Sequence, residues 1–305
     1  MGKVDEKEIK RLKGLGFINN KDGETFSARI VTKNGTLTTE QVEELIVIAD
    51  MYGVSKITFT SRMGIEIPGI AYENIQYTMN DLAHAGLSVG GTGPKVRPIA
   101  TCKGTVCTHG NIDTWAVSEK IHDRFYEGYR SVKLPHKFKI GVGGCPNNCI
   151  KPTLNDVGLI GLNRPDYQFD RCAGCKECSV APKCPMRTFK VADGVAQADE
   201  EKCTKCGDCI GKCPFGVAES GKVGYAVYIG GKWGKVGRVG TKLNCILDSE
   251  AEAFELIEKV ILLYKDHGQP GERLGNLIDR IGIAEVERIL FSDELLKRKE
   301  EIIDA

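Results

Sequence analysis

The sequence predicts an α+β protein with a small cysteine-rich module set into it. Three observations carry this. Short runs of strand-like alternation interleave with helix-period segments up to about residue 164, and resume after about residue 223. Between them, over residues 165–222, eight cysteines fall into two similar runs. Because strand pattern returns afterwards, the module interrupts a larger domain and is not appended to it.

The elements follow in chain order. Residues 24–32 alternate as a strand, and Asn34-Gly35 marks a turn. Thr38 with Gln41 spells a capping box that opens a helix through about Tyr52. Ser55–Thr60 reads as a strand, followed by Arg62 and a second short strand to Ile67. A helix from about Tyr72 stops near Gly86, a C-cap. Gly90, Gly91, Gly93 and Pro94 form a loop, and Lys95–Ala100 a strand running into Cys102. Residues 111–127 suit a helix, and 137–142 a strand running into Gly143-Gly144-Cys145. Beyond the module, GYAVYIGG and KVGRVG read as strands, and three or four amphipathic helices run from about Asp248 to the end.

Composition narrows the class. The 305 residues suffice for two domains. With 42 Lys and Arg against 41 Asp and Glu, the charge balance argues against nucleic acid or bulk membrane as partner. No apolar run approaches the roughly 20 residues of a spanning helix. The start, MGKVDEKEIKRLKG, lacks the apolar stretch of a signal peptide. Thirteen cysteines without secretory features read as metal ligands in a reducing, anoxic cytoplasm.

Twelve of those cysteines form three sets of four. Cys172-x2-Cys175-x2-Cys178 ends in Cys184-Pro185, and Cys203-x2-Cys206-x2-Cys209 ends in Cys213-Pro214. This is the bacterial two-cluster ferredoxin pattern, in which the fourth cysteine of each run ligates the other cluster. Cys213 is therefore expected to complete the first [4Fe–4S] cluster and Cys184 the second. Five residues separate Cys178 from Cys184 where the usual run has three, which lengthens a loop and removes no ligand. Two zinc sites of four cysteines each are the alternative. Thiolates suit both metals, but zinc ribbons seldom repeat three close cysteines and a Cys-Pro. Cys245 is left over and reads as a small buried hydrophobe.

The third set is Cys102, Cys107, Cys145 and Cys149. In the context KFKIGVGGCPNNC it resembles the sirohaem sulfite and nitrite reductases, and the resemblance spans essentially the whole chain. TFTSRMGIEIPGI looks like the family's ferredoxin-like half domain; LPHKFKIGVGGCPNNC is similar to its core. GYAVYIGGKWGKVGRVGTKL and ERLGNLIDRIGIAEVERIL look like its later parts. The inserted ferredoxin points to the dissimilatory branch or to the catalytic subunit of the anaerobic sulfite reductase. The resemblance implies that these four cysteines hold a [4Fe–4S] cluster and that Cys149 also bridges to the sirohaem iron. The family's first pair usually has five residues between its cysteines, whereas four lie between Cys102 and Cys107. His109 is a conceivable substitute ligand, although a loop His is more often a hydrogen-bonding residue.

By the same resemblance, anion-binding residues fall on Arg62, Arg97, Lys137 and Lys139. Lys137 and Lys139 also have a local argument: two apart on a strand, they share a face. Sirohaem carries carboxylates and its substrate is a small anion, so both need cations in a partly dry site. Gly141, Gly143 and Gly144 allow either a tight turn or close approach to a macrocycle. Lys235 and Arg238 are expected either to contact sirohaem carboxylates or to sit on an exposed hairpin.

The resulting expectation is an α+β sulfite reductase-like chain in three parts. A ferredoxin-like half domain covers residues 1–92. A sirohaem and [4Fe–4S] catalytic domain covers 93–164 and 223–305, and an inserted 2[4Fe–4S] ferredoxin covers 165–222. Three [4Fe–4S] clusters and sirohaem would be the cofactors. Electrons from a low-potential donor protein or reductase subunit, passed singly through the clusters, would reduce sulfite to sulfide, six in total. The lysines would stabilise the oxyanion and supply protons, and the arginines would clamp it. A homo-oligomer or heteromer built on a two-fold dimer is expected. Nitrite reduction by the same chemistry, and a non-catalytic iron–sulfur electron carrier, are the alternatives.

Overall fold

In the structure, a computed structural model that describes residues 4–305, the charged N-terminal segment folds as helix α1 (Glu6–Leu15). Residues 1–3 of that segment lie outside the described residues. The reading by alternation and caps misses this helix, but its sequence carries the signal. Glu6 and Glu8 occupy the first turn, Lys13 the last, and Gly16 caps it at φ 118°.

The chain divides into two units. One runs up to Ala100 and takes in Ser118–Ile140 and Ile261–Ala305; the other comprises Thr101–Val117 and Gly141–Val260.

The first unit holds an antiparallel sheet of β1 (Phe17–Asn19), β2 (Thr25–Val31), β3 (Thr58–Phe59), β4 (Ile65–Ala71) and β5 (Ser88–Val89), ordered β1-β2-β4-β3 with β5 also on β2. Helices α2 (Thr39–Tyr52) and α3 (Ile75–His84) pack Leu45, Ile48, Ala49, Ile75 and Leu82 into one core with Phe17, Phe26, Ile30, Ile67 and Ile70. Each such Leu, Ile or Phe side chain contributes about 1.5–3 kcal/mol by leaving water. The capping box forms: the Gln41 N–H donates to Thr38 Oγ1 at 3.2 Å, and the Thr38 N–H to Gln41 Oε1 at 3.1 Å. Asn34 and Gly35 both take positive φ in the expected turn.

The other sheet is ordered β12-β11-β8-β7-β6. Its strands are β6 (Ala100–Thr101), β7 (Ile140–Gly143), β8 (Val157–Tyr167), β11 (Ala218–Ile229) and β12 (Thr241–Leu247). A separate hairpin joins β9 (Phe189–Ala192) to β10 (Val195–Ala198). Strands β8 and β11 pair antiparallel from Val157↔Ile229 to Tyr167↔Ala218 and carry the cysteine-rich segment beyond their far end. That segment has its own small core of Val180, Phe189, Ala196, Cys209 and Val217.

Several expected elements come out shorter. Ser55–Thr60 keeps only Thr58–Phe59 in strand geometry, and Lys95–Ala100 only the bridge at Val96 and the start of β6. The expected strand 137–142 is regular from Ile140, with Phe138 bridged to Val96. The helix at 111–127 is α4 (Thr114–Ile121) followed by a π-helical stretch, His122–Glu127. KVGRVG is a loop closed by the Lys232↔Arg238 bridge, and strand structure returns at Thr241. Five glycines from residue 230 to residue 240 leave this stretch little side-chain surface to pair. Cys245 is half-buried in β12. The chain closes with α5 (Glu250–His267), α6 (Leu274–Ile281), α7 (Ile283–Leu290), α8 (Glu294–Lys297) and α9 (Lys299–Asp304). Among the described residues no helix is long and apolar enough to cross a membrane.

Candidate active site and iron–sulfur sites

Arg62 stands at the tip of the tight connection between β3 and β4. The Thr60 N–H donates to the Gly64 carbonyl at 2.8 Å, and Met63 adopts φ 62° to close the turn. A β-region residue would not turn here, and the left-handed geometry costs roughly 1–3 kcal/mol. The Thr32 hydroxyl holds the Met63 carbonyl at 2.7 Å. Arg62 itself donates to the carbonyls of Pro98 at 3.0 Å and Ile140 at 3.4 Å. Arg97 clamps the glycine loop, donating to the carbonyls of Gly91 and, at 2.9 Å, Gly93.

All four predicted anion-binding residues line one cavity of about 240 Å³ in the first unit: Arg62, Arg97, Lys137 and Lys139. Lys137 and Lys139 alternate with buried Phe138 and Ile140, so their side chains share the half-buried face. Arg29 lines the same cavity and escapes the sequence reading. It faces Glu66 across the β2–β4 ladder, with Nη2 2.6 Å from Oε1. A single Arg in an alternating strand carries no local mark; only the pairing of β2 with β4 brings it here. The surplus of cations shows in His136. Its pKa is held below the ordinary histidine value by burial and then by Lys137, Arg273 and Arg97. The volume falls below the roughly 300–1,000 Å³ of a drug-sized pocket and suits a small oxyanion or carboxylate groups.

In the second unit, Cys102, Cys107, Cys145 and Cys149 come from two loops. Cys107 ends a 3₁₀ turn, its N–H on the Gly104 carbonyl at 3.2 Å. This turn takes up the short gap after Cys102. Burial raises the Cys145 thiol; the Asn147 N–H opposes it, and nearby Cys102, Cys149 and Cys107 raise it further. Cys149 is exposed. Its loop turns tightly through Asn148 at φ 56° and Lys151 at φ 52°. A Cβ on Gly144 would come within 2.9 Å of the Gly104 Cα, so the two loops meet through bare backbone.

The module's thiols line two cavities. Cys172, Cys175, Cys178 and Cys213 line one cavity. Cys184, Cys203, Cys206 and Cys209 line another. Burial raises Cys206 and Cys209. Burial also acts on Cys184, but the Thr188 hydroxyl and the N–H groups of Phe189, Thr188 and Met186 outweigh it, and its pKa falls. Donors aimed at a sulfur stabilise thiolate. Among the described residues no three His, Cys, Asp or Glu side chains converge tightly enough for a single metal ion. Thiols spread around a cavity fit a multi-iron cubane, whose ligands attach at separate corners.

The other expected residues lie elsewhere in the second unit. Lys235 is exposed on the 232–238 loop. Arg238 donates to the Gly230 carbonyl at 2.9 Å and braces the base of that loop. His109 sits 3.4 Å from Asp208, an ion-pair partner once protonated.

The model of the nitrite and sulphite reductase 4Fe-4S domain matches residues 92–299, and that of the nitrite/sulfite reductase ferredoxin-like half domain matches 18–85. The chain belongs to the nitrite and sulphite reductase family. The family implies an iron–sulfur cluster and sirohaem. Coenzyme F420-dependent sulfite reductase of Methanocaldococcus jannaschii is 32% identical over 93% of this chain, which spans only 45% of that protein. The dissimilatory-type sulfite reductase subunit alpha of Allochromatium vinosum is 26% identical over 90% of this chain and 72% of that one. Dissimilatory sulfite reductase I shares the fold with a TM-score of 0.72 at 21% identity, covering 87% of this chain and 69% of that one.

Proposed function

We propose that this chain carries the sirohaem and iron–sulfur machinery of a sulfite reductase and reduces sulfite to sulfide with six electrons. The gathering of Arg29, Arg62, Arg97, Lys137 and Lys139 around one cavity carries the reading. An electron carrier has no use for such an anion pocket. Sulfite is favoured over nitrite because two relatives matched over 90% or more of the chain bear sulfite reductase names.

Cys102, Cys107, Cys145 and Cys149 would hold one [4Fe–4S] cluster. Cys172, Cys175, Cys178 and Cys213 would hold a second, and Cys184, Cys203, Cys206 and Cys209 a third. When bound, sirohaem would supply a redox-active iron for the six-electron reduction of sulfite to sulfide and water. Cys149 is the thiolate that would reach that iron. Lys137 and Lys139 stabilise charge on the oxyanion and deliver protons, while Arg62 and Arg97 orient it. Arg29, held by Glu66, adds a fixed positive charge. Lys235 and Arg238 are candidate partners for sirohaem carboxylates.

The division into residues 1–92, 93–164 with 223–305, and 165–222 is supported by the matched half domain and by the module's separate core. A low-potential protein or reductase subunit would donate electrons in the cytoplasm. A two-fold homodimer or a heteromer with a related chain is the proposed assembly.

Cys149→Ser tests the central role. With a low-potential donor it should form no sulfide, while both ferredoxin-type clusters keep their spectra. Full activity in that variant would reject the bridging thiolate.

A further inference from the structure

Asn111 occupies a position that neither the anion site nor the ligand sets explain. Its backbone N–H donates to the Gly144 carbonyl at 2.9 Å. Its side-chain Nδ2 donates to the Cys206 carbonyl at 3.2 Å and to the Gly161 carbonyl at 3.3 Å. Gly144 in turn donates its N–H to Cys102 Sγ at 3.2 Å. A continuous path of covalent bonds and three hydrogen bonds therefore links Cys206, in the second ferredoxin-type run, to Cys102, in the sirohaem-type set.

The packing keeps this path short and rigid. A Cβ on Gly161 would meet the Gly144 carbonyl oxygen at 2.7 Å, and one on Gly207 would meet Asn111 Oδ1 at 3.3 Å. Gly207 also takes φ 83°, a backbone conformation that suits glycine. The Asn163 N–H donates to the Lys205 carbonyl at 2.9 Å, pinning the same loop to β8. His109, two residues before Asn111, lies 3.4 Å from Asp208. The last three of these ties run to the loop between Cys203 and Cys209.

We infer that Asn111 is a positioning residue for electron transfer, and that the cluster of Cys184, Cys203, Cys206 and Cys209 is the module's exit toward the Cys102 set. This rests on the reading that each thiol set holds a [4Fe–4S] cluster. With clusters in place, one electron from a low-potential one-electron donor would enter at the set of Cys172, Cys175, Cys178 and Cys213, move to the exit set, and pass to the set of Cys102, Cys107, Cys145 and Cys149. At each step the giving cluster would be oxidised and the receiving one reduced by one electron, with no bond or proton exchanged. Electronic coupling falls off more slowly through bonds and hydrogen bonds than across gaps, so the amide bridge sets the last rate.

The test uses the full chain with its cofactors loaded. Asn111→Leu keeps the γ-branched shape and the backbone N–H but removes the side-chain amide that makes both bonds. Iron content, cluster potentials and the three cluster EPR signals should match the parent. Transfer from the photoreduced module to the Cys102-set cluster, followed by rapid-freeze EPR, should slow by about 10-fold or more, the scale on which losing an outer-sphere partner lowers activity. Parental transfer rates in a fully loaded variant would overturn the proposal. A second measurement does not depend on that variant. Spin relaxation of the Cys102-set cluster should change when Cys203→Ala removes the exit cluster, and not when Cys175→Ala removes the entry cluster. The opposite pattern would overturn the order. A parent chain that binds fewer than three clusters would instead refute the cofactor reading itself.

Discussion

The backbone N–H of Gly144 donates to Cys102 Sγ at 3.2 Å, joining the loop before Cys145 to the first thiol of the same set. That contact is open only to glycine. A Cβ at residue 144 would lie 2.9 Å from the Gly104 Cα, 3.2 Å from Thr114 Cγ2 and 3.6 Å from Cys102 Sγ. Gly144→Ala should push the two loops apart, at about 1–3 kcal/mol for overpacking. Anaerobically reconstituted protein should then lose one cluster's share of iron while the ferredoxin-type EPR signals remain.

Lys137→Ala and Lys139→Ala each remove a cation from the cavity shared with Arg62 and Arg97. Sulfite turnover should fall by roughly one to three orders of magnitude, the usual loss for a positioned charge donor. The absorption spectrum should stay close to that of the parent, because neither side chain is a thiol ligand. Turnover near the parental value would make these lysines ordinary charges on a half-buried surface.

The crossed ligand pattern makes its own prediction. Cys213 lines the cavity of Cys172, Cys175 and Cys178, far along the sequence from them. Cys213→Ser should perturb the EPR signal that Cys175→Ser abolishes, and Cys184→Ser the signal that Cys206→Ser abolishes. Perturbation within each run instead would show uncrossed ligation.

Stability should depend on pH through His122. It is 3% exposed, and burial, aided by Lys33, lowers its pKa against the opposing pull of Glu127 and Asp123. The unfolded histidine, near 6.5, binds its proton more readily than the folded one. Stability is thus present above about pH 6.5 and lost as pH falls from there toward the lowered folded value. His122→Gln should show a smaller drop in thermal midpoint than the parent between about pH 7.5 and 5.5, read by near-ultraviolet circular dichroism. An unchanged drop would place the acid sensitivity elsewhere.

What could be read from sequence was local. The Thr38–Gln41 capping box, the Asn34-Gly35 turn and the two cysteine runs each depend on neighbours a few residues away, so their spacing states their geometry. Lys137 and Lys139 were legible because strand alternation puts them on one face beside buried Phe138. Arg29 was not, since its place depends on Glu66, 37 residues on. Asn111 was silent for the same reason: its partners Gly144, Gly161 and Cys206 lie far along the chain. KVGRVG misled because its β-branched valines favour a strand, yet Val236 and Val239 stand exposed on a glycine-rich loop.

The most direct measurement is the optical spectrum of the anaerobically purified chain, taken with the yield of sulfide per electron consumed. The account predicts sirohaem Soret and red bands over broad iron–sulfur absorption, and one sulfide for every six electrons. A spectrum with iron–sulfur absorption alone and no sulfide from sulfite would contradict it, and would make the chain an electron carrier.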